Sequence, residues 1–272
     1  MPELPEVENL ARGLSSRIIG STIRDVRCHF PAVVRPDPDC FADTVRGHRI
    51  RELRRHGKYL FFVLDRDVVL ALHLRMTGQL LVVPRDQPPD KHTHLELLLS
   101  DRSRKIVFRD VRKFGRLKVL EGSISRFVAE KKLGADALEV STRDLHRAFQ
   151  KTSRSIKATL LDQSVLAGLG NIYTDEILFR ERISPLRKAS SLSYEQTASL
   201  RRTMRAVLRA AIRGRGTTIS DYVDARGQSG SFQNELLVYS RAGSPCPRCG
   251  TAIGKSRVAG RGTYSCPVCQ SR

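Results

Sequence analysis

CPRCGTAIGKSRVAGRGTYSCPVC, residues 246–269, holds four of the chain's six cysteines as two C-x2-C pairs separated by sixteen residues. Thiolates at this spacing close around one tetrahedral ion, and the reading is one structural zinc (Zn2+) held by Cys246, Cys249, Cys266 and Cys269. Four cysteines leave no open coordination position for water, so such an ion builds a fold and does no chemistry. The remaining cysteines, Cys28 and Cys40, lie far away in the N-terminal half. Lys255, Arg257 and Arg261 fall between the two pairs, where the tip of a hairpin would stand, and would offer cations to a polyanion.

Working back from the ribbon, residues 214–231 (GRGTTISDYVDARGQSGS) are rich in Gly, Ser and Thr and read as a long functional loop. Before it, Ser193 and Gln196 form a capping-box pair. Leu200, Met204, Val207, Leu208 and Ala211 then make one apolar helical stripe that stops at Gly214. Further upstream, LAGLGNIY (166–173) sits between helical stretches at Ile156–Leu161 and Asp175–Phe179. Its two glycines allow tight turns, and the helix that follows presents free N–H groups suited to a phosphate.

The first 120 residues read differently. Val7, Leu10, Ala11, Leu14 and Ile18 mark an amphipathic helix over 5–18. Short runs at Tyr59–Leu64, Val68–Leu74, Leu95–Leu99, Ile106–Arg109 and Leu117–Leu120 then read as strands bounded by turn residues. Many strands without intervening helices imply an antiparallel sandwich or barrel. Residues 84–92 are a polar, Pro-rich loop.

The chain carries 48 Lys+Arg against 28 Asp+Glu, a net charge of +20 over 272 residues. An excess of this size implies a polyanionic partner, nucleic acid before others. No run is apolar enough for a membrane span. The acidic start, with Glu3, Glu6 and Glu8, is no signal peptide, so the expected location is cytoplasmic.

The start Met1-Pro2-Glu3 carries a chemical option. Removal of Met1 would expose a secondary amine at Pro2. A terminal amine has a pKa near 8 and lysine one near 10.4, so roughly a tenth of the former is unprotonated at pH 7 against well under a thousandth of the latter. Attack by a secondary amine on a sugar C1′ gives an iminium directly, and Glu3 stands close enough in sequence to move the proton.

MPELPEVE at the start, LLDQSVLAGLGNIYTDE at 160–176 and CPRCG…VAGRGTYSCPVCQ at the end together resemble the bacterial formamidopyrimidine-DNA glycosylases, in order and over essentially the whole chain. The resemblance implies an α+β multidomain protein: an N-terminal antiparallel β-sandwich flanked by helices, and a C-terminal helix–two-turn–helix domain with a four-cysteine zinc ribbon. The expected boundaries are 1–125 for the catalytic sandwich, 126–150 for a linker, 151–235 for the helical domain with a lesion-recognition loop, and 236–272 for the zinc finger.

It implies excision of oxidised purines from damaged double-stranded DNA, coupled to lyase cleavage of the abasic strand. The working form would be a monomer with no obligate protein partner. By position, Pro2 would be the Schiff-base nucleophile, Glu3 the acid and Glu6 a positioning carboxylate. Lys58 and Arg261 complete the implied catalytic set, both gripping phosphate. Asn171, Lys157 and His92 would also contact DNA. Met76, Arg112 and Phe114 match the residues that fill the hole left by a flipped base. Backbone amides of the closing loop, at Thr217, Thr218, Ile219, Ser220 and Tyr222, would read the base, with Arg215 standing where relatives usually have glycine. The weighed alternatives are the sister group that prefers oxidised pyrimidines (endonuclease VIII type), a non-enzymatic zinc DNA-binding protein, and an RNA-binding ribosome factor. DNA affinity should fall steeply with salt.

Overall fold

The computed structural model describes residues 1–271. They divide into two units, one of residues 1–131 with 214–233, the other of residues 132–213 with 234 onward.

The first unit begins with helix α1 (Leu4–Ile18). Pro5 sits in its first turn, where a missing N–H costs nothing, and Val7, Leu10, Ala11, Leu14 and Ile18 face inward as their spacing requires. Nine strands and two short helices follow: β1 (Ile23–Cys28), β2 (Val34–Arg35), α2 (Pro38–Val45), β3 (Ile50–His56), β4 (Tyr59–Leu64), β5 (Val69–His73), β6 (Gly78–Pro84), β7 (Thr93–Leu99), β8 (Arg104–Asp110), β9 (Arg116–Val119) and α3 (Ile124–Glu130). They form a four-stranded sheet in the order β1-β7-β8-β6 and a five-stranded sheet in the order β2-β9-β5-β4-β3. Every pairing is antiparallel except the two-residue match of β2 with β9, which is parallel.

The alternation of side chains across a strand explains the layering. Leu60, Phe62 and Leu64 of β4 and Leu70 and Leu72 of β5 meet Leu95, Leu97 and Leu99 of β7 and Ile106 and Phe108 of β8 in one core, which α1 shares. The other face of β4 and β5 presents Phe61, Val69 and Ala71 to Phe127 of α3. The sandwich with flanking helices is therefore as read from the sequence.

The second unit holds β10 (Ala135–Asp136), α4 (Thr142–Gln150), α5 (Ile156–Leu161), β11 (Leu166–Ala167), α6 (Asn171–Arg180), α7 (Tyr194–Arg213), β12 (Gly254–Val258) and β13 (Arg261–Ser265). The capping box at α7 forms as expected: Ser193 Oγ accepts from the Gln196 N–H at 3.2 Å, and Gln196 Oε1 accepts from the Ser193 N–H at 3.1 Å. Leu200, Met204, Val207, Leu208 and Ala211 are all buried, and α7 packs on α4 and α6. The ribbon hairpin β12–β13 turns at Ala259–Gly260, with Val258 opposite Arg261. Cys246, Ile253 and Cys266 pack with Val238 and with Phe179 of α6.

Two expected boundaries run differently. Residues 126–150 are not a linker, because most of them belong to α3 and α4, and α4 buries Leu145 and Phe149. Residues 214–233, assigned from the sequence to the helical domain, group instead with residues 1–131. The reason is a set of hydrogen bonds to α1 described below. Among the described residues, no helix is long and apolar enough to cross a membrane.

Candidate active site and nucleic-acid interface

The N-terminal site grows out of the head of α1. Glu3 caps the helix, and its N–H donates to Glu6 Oε2 at 2.8 Å. Both side chains are almost fully buried, and Pro2 is buried with them. Burying a carboxylate is costly unless donors meet it, and Glu6 has a second one: the Thr217 N–H, 2.8 Å from Oε1. One side chain thus bonds both the start of the chain and the loop 211 residues later. The Tyr222 hydroxyl donates to the Glu6 carbonyl at 3.3 Å. Burial, then the charges of Glu6 and Asp224, push the Tyr222 phenol far above its ordinary range, which keeps it a donor.

Gly216 makes this packing possible. Its φ is +83°, and a Cβ there would lie 2.9 Å from Glu6 Oε1. Arg215 beside it also adopts a left-handed φ, +57°, so the backbone here keeps the conformation that glycine favours although arginine occupies it. Its guanidinium donates to Gln228 Oε1 at 2.7 Å. Thr218 ties the loop together: its hydroxyl donates to the Tyr222 carbonyl at 2.9 Å and accepts from the Gly230 N–H at 2.9 Å. Ile219 and Ser220 at the tip are exposed.

Lys58 lies in the tight turn between β3 and β4 and is 6% exposed. Across the sheet, the ring of His73 is 4.6 Å from that of Tyr59. Burial, then the positive charges of Arg75 and Lys58, push His73 down to about 3, so its ring is neutral at physiological pH. His73 was not singled out in the sequence, although it opens the run HLRMTG that holds Met76.

The three expected void-filling residues come together. Met76 and Phe114 are 42% and 48% exposed, which is unusual for large apolar side chains. The Arg112 guanidinium sits 5.0 Å over the Phe114 ring, and its Nη1 is 3.1 Å from Met76 Sδ. A second residue missed in the sequence holds them. Asp110 is buried at the end of β8 and accepts from the Thr77 hydroxyl at 2.5 Å, the Gly115 N–H at 2.7 Å and the Arg112 N–H at 3.2 Å. Its own N–H donates to the His92 carbonyl at 3.0 Å, which brings half-buried His92 beside the same turn.

In the second unit, Gln163 wires the turn before α6: its amide donates to the Leu161 and Leu169 carbonyls and accepts from the Gly168 N–H. That turn presents Asn171 at the head of α6, and Asn171 Nδ2 donates to the Gly262 carbonyl at 2.8 Å. Arg261, exposed at the start of β13, is thereby fixed next to the helix terminus.

Lys157 requires a correction. The resemblance gave it a DNA contact, but the side chain is completely buried. Its Nζ donates to Asp175 Oδ1 at 2.6 Å and to the Gly262 carbonyl at 3.1 Å, while Asp175 Oδ2 accepts from the Tyr264 N–H. Lys157 therefore braces the hairpin that carries Arg261. Burial holds the Asp175 carboxyl up at about 6 against the pull of Lys157. Lys157→Met should cost about 3 kcal/mol by orphaning that carboxyl. Without its cation, the native carboxyl keeps a proton that the unfolded chain releases near pH 4. With its cation the same carboxyl releases that proton at about 6, so only above that pH does the variant's native state hold one more proton than the unmodified protein's, and the deficit should grow as pH rises through and beyond about 6. Urea unfolding of both proteins at pH 5 and 7.5 checks this, and a deficit independent of pH counts against it.

The four ribbon sulfurs lie within 4.8 Å of one another. Two of the separations are 3.5 Å (Cys249–Cys266) and 3.9 Å (Cys246–Cys269). Tetrahedral zinc with bonds near 2.3 Å requires about 3.8 Å between sulfurs, so the donor set fits the ion. The Arg248 guanidinium donates to the Phe179 and Arg180 carbonyls and pins the first cysteine pair to the end of α6.

Residues 1–117 match the family model of the formamidopyrimidine-DNA glycosylase N-terminal domain, 133–223 that of its H2TH domain, and 243–272 that of the zinc finger found in FPG and IleRS. The chain belongs to the formamidopyrimidine-DNA glycosylase family. The formamidopyrimidine-DNA glycosylase of Geobacillus kaustophilus is 46% identical over 275 residues, which span 99% of this chain and all of that one. That of Bacillus cereus is 43% identical over 277 residues, with both chains covered in full. Among solved structures, the complex between Lactococcus lactis Fpg and an abasic site containing DNA shares 35% identity at a TM-score of 0.93, covering 99% of this chain and all of that one. A MutM in complex with carbocyclic 8-oxo-G containing DNA shares 35% identity at 0.92, with full coverage of both. The formamidopyrimidine-DNA glycosylase fold thus extends through all three matched regions, and the zinc ribbon is part of it.

Proposed function

We propose that the protein removes oxidised purines from duplex DNA and then cleaves the abasic strand, with the N-terminal amine of Pro2 as the nucleophile. The observation that carries this reading is the pair of buried carboxylates at the head of α1 next to Pro2, one of which also bonds the 216–222 loop. The family favours purines over the pyrimidine-preferring alternative, since the MutM relative is solved on 8-oxo-G DNA.

The Pro2 nitrogen attacks C1′, the bond from C1′ to the base breaks, and the base leaves with a proton. As the sugar ring opens, Glu3 protonates its oxygen, and the nitrogen carries the resulting iminium. Loss of a C2′ proton then expels the 3′ phosphate, and a second elimination expels the 5′ phosphate. Lys58 and Arg261 hold the phosphates flanking the lesion, with Asn171 and the α6 N-terminus beside Arg261. Met76, Arg112 and Phe114 occupy the space of the flipped base, and loop amides between Thr217 and Tyr222 read it, with His92 on the strand nearby. Zinc supplies the ribbon's fold only.

Glu3→Gln tests the division of labour. Loss of a positioned general acid should slow base excision by about 10²–10⁴-fold. Borohydride trapping on a preformed abasic site should survive, because an abasic sugar is a hemiacetal that opens to its aldehyde without Glu3. Equal loss on both substrates, or none on either, refutes the role given to Glu3. No trapping by the unmodified protein on either substrate favours a non-enzymatic zinc DNA-binding protein.

A further inference from the structure

Helix α7 carries five basic residues, and all five are arginines. At 100° per residue, Arg202, Arg209 and Arg213 fall within an arc of about 40° on one face. The buried residues Leu200, Met204, Val207 and Ala211 lie on the opposite face, the one that packs on α4 and α6. The arginine ridge therefore looks away from α6, whose first residue is Asn171.

All three ridge arginines are exposed. Among the described residues they make no ion pair and no hydrogen bond, although most other surface arginines of the chain find a carboxylate or carbonyl. The only acid on α7, Glu195, sits in the first turn and bonds Ser193. Half-buried Arg205 lies at the edge of the ridge, and its Nε–H is buried without an acceptor. Like charges spaced four residues apart destabilise a helix, so an isolated α7 gains nothing from this arrangement. Arg202 and Arg213 are about 16 Å apart along the axis, a span that covers several successive phosphates of a strand. The planar guanidinium also suits phosphate oxygens better than lysine does.

We propose that the exposed face of α7 binds the phosphate backbone of a second duplex segment, so that one protein molecule can bridge two DNA segments. Bridging rests on the functional reading above only in that the first duplex occupies the site for damaged DNA. The partner class follows from charge complementarity and from the absence of an internal counter-charge.

The test uses the full-length protein and the triple variant Arg202→Gln, Arg209→Gln, Arg213→Gln, which keeps residues of good helix propensity. A short lesion duplex is fixed on beads, and capture of a second, labelled, undamaged duplex is measured from 0.05 to 0.2 M salt. The unmodified protein should capture it. The variant should lose about a hundredfold in capture affinity and shallow the salt dependence by nearly three phosphate contacts. Affinity for a single short lesion duplex, zinc content and melting temperature should stay unchanged. Normal single-duplex binding without capture by the unmodified protein overturns the proposal, as does undiminished capture by the variant. Capture of single-stranded RNA or anionic vesicles in preference to duplex DNA also overturns it. Failure of single-duplex binding itself would strike at the functional reading instead.

Discussion

With Pro2 replaced by glycine, the yield of borohydride-trapped complex on abasic-site DNA should fall by about a hundredfold. Glycine leaves an α-amine of ordinary basicity, so the loss does not come from deleting the amine. Two other things change. A primary amine gives an imine that must gain a proton to act as an electron sink, whereas the secondary amine of proline gives the iminium at once. The proline ring, buried beside Glu3 and Glu6, also fixes the direction of its nitrogen, and a misplacement of about 1 Å costs on the order of 10² in rate. Melting temperature, zinc content and affinity for undamaged duplex should match the unmodified protein. Trapping at an unchanged rate would remove Pro2 from the chemistry. Mass spectrometry of the trapped peptide adds an independent reading: the adduct must sit on a chain that begins at Pro2, because a retained Met1 locks that nitrogen in a peptide bond.

The second large effect concerns the ribbon. Cys249→Ser, or extraction of zinc by a chelator, should abolish the one-to-one metal content and weaken DNA binding by about a hundredfold or more. In zinc-finger peptides the ion supplies about 10–16 kcal/mol of folding free energy, and a hairpin of this size has little else. Loss of the ribbon also removes the Gly262 carbonyl that accepts from Lys157 and Asn171, and with it the placement of Arg261. The sandwich core is built from other residues, so far-ultraviolet circular dichroism should keep most of its signal. A variant that binds no zinc yet holds DNA with full affinity would show that the ribbon is dispensable for binding.

Much of the site was legible because its residues announce themselves locally. The cysteine spacing, the Ser193–Gln196 cap and the limits of β4 and α5 all follow from interactions within a few residues. What was hidden depended on distant partners or on muted patterns. β3 reads IRELRRH and leaves most of its side chains outside the core, so its strand period was masked by charge. α4 buries only Leu145 and Phe149 among seven other residues, and a segment so polar resembles a linker. The allegiance of residues 214–233 rests on bonds from Thr217 and Tyr222 to Glu6, which no window of sequence contains. Lys157 failed differently: its type suggested phosphate, and its true partner, Asp175, lay inside the very run that carried the resemblance.

The tethering of the 216–222 loop, proposed above to read the base, has one further consequence. Glu6 fastens its entry at Thr217, Thr218 fastens its return at Tyr222 and Gly230, and Gln79 Nε2 donates to the Asp221 carbonyl, while the side chains of residues 219–221 are exposed. Side chains at 219–221 can change while these backbone bonds, and the one to Glu6, stay in place. On the proposed function, a lineage could therefore broaden or narrow the damage it accepts by drift in three side chains, while the residues at the head of α1 are inherited unchanged.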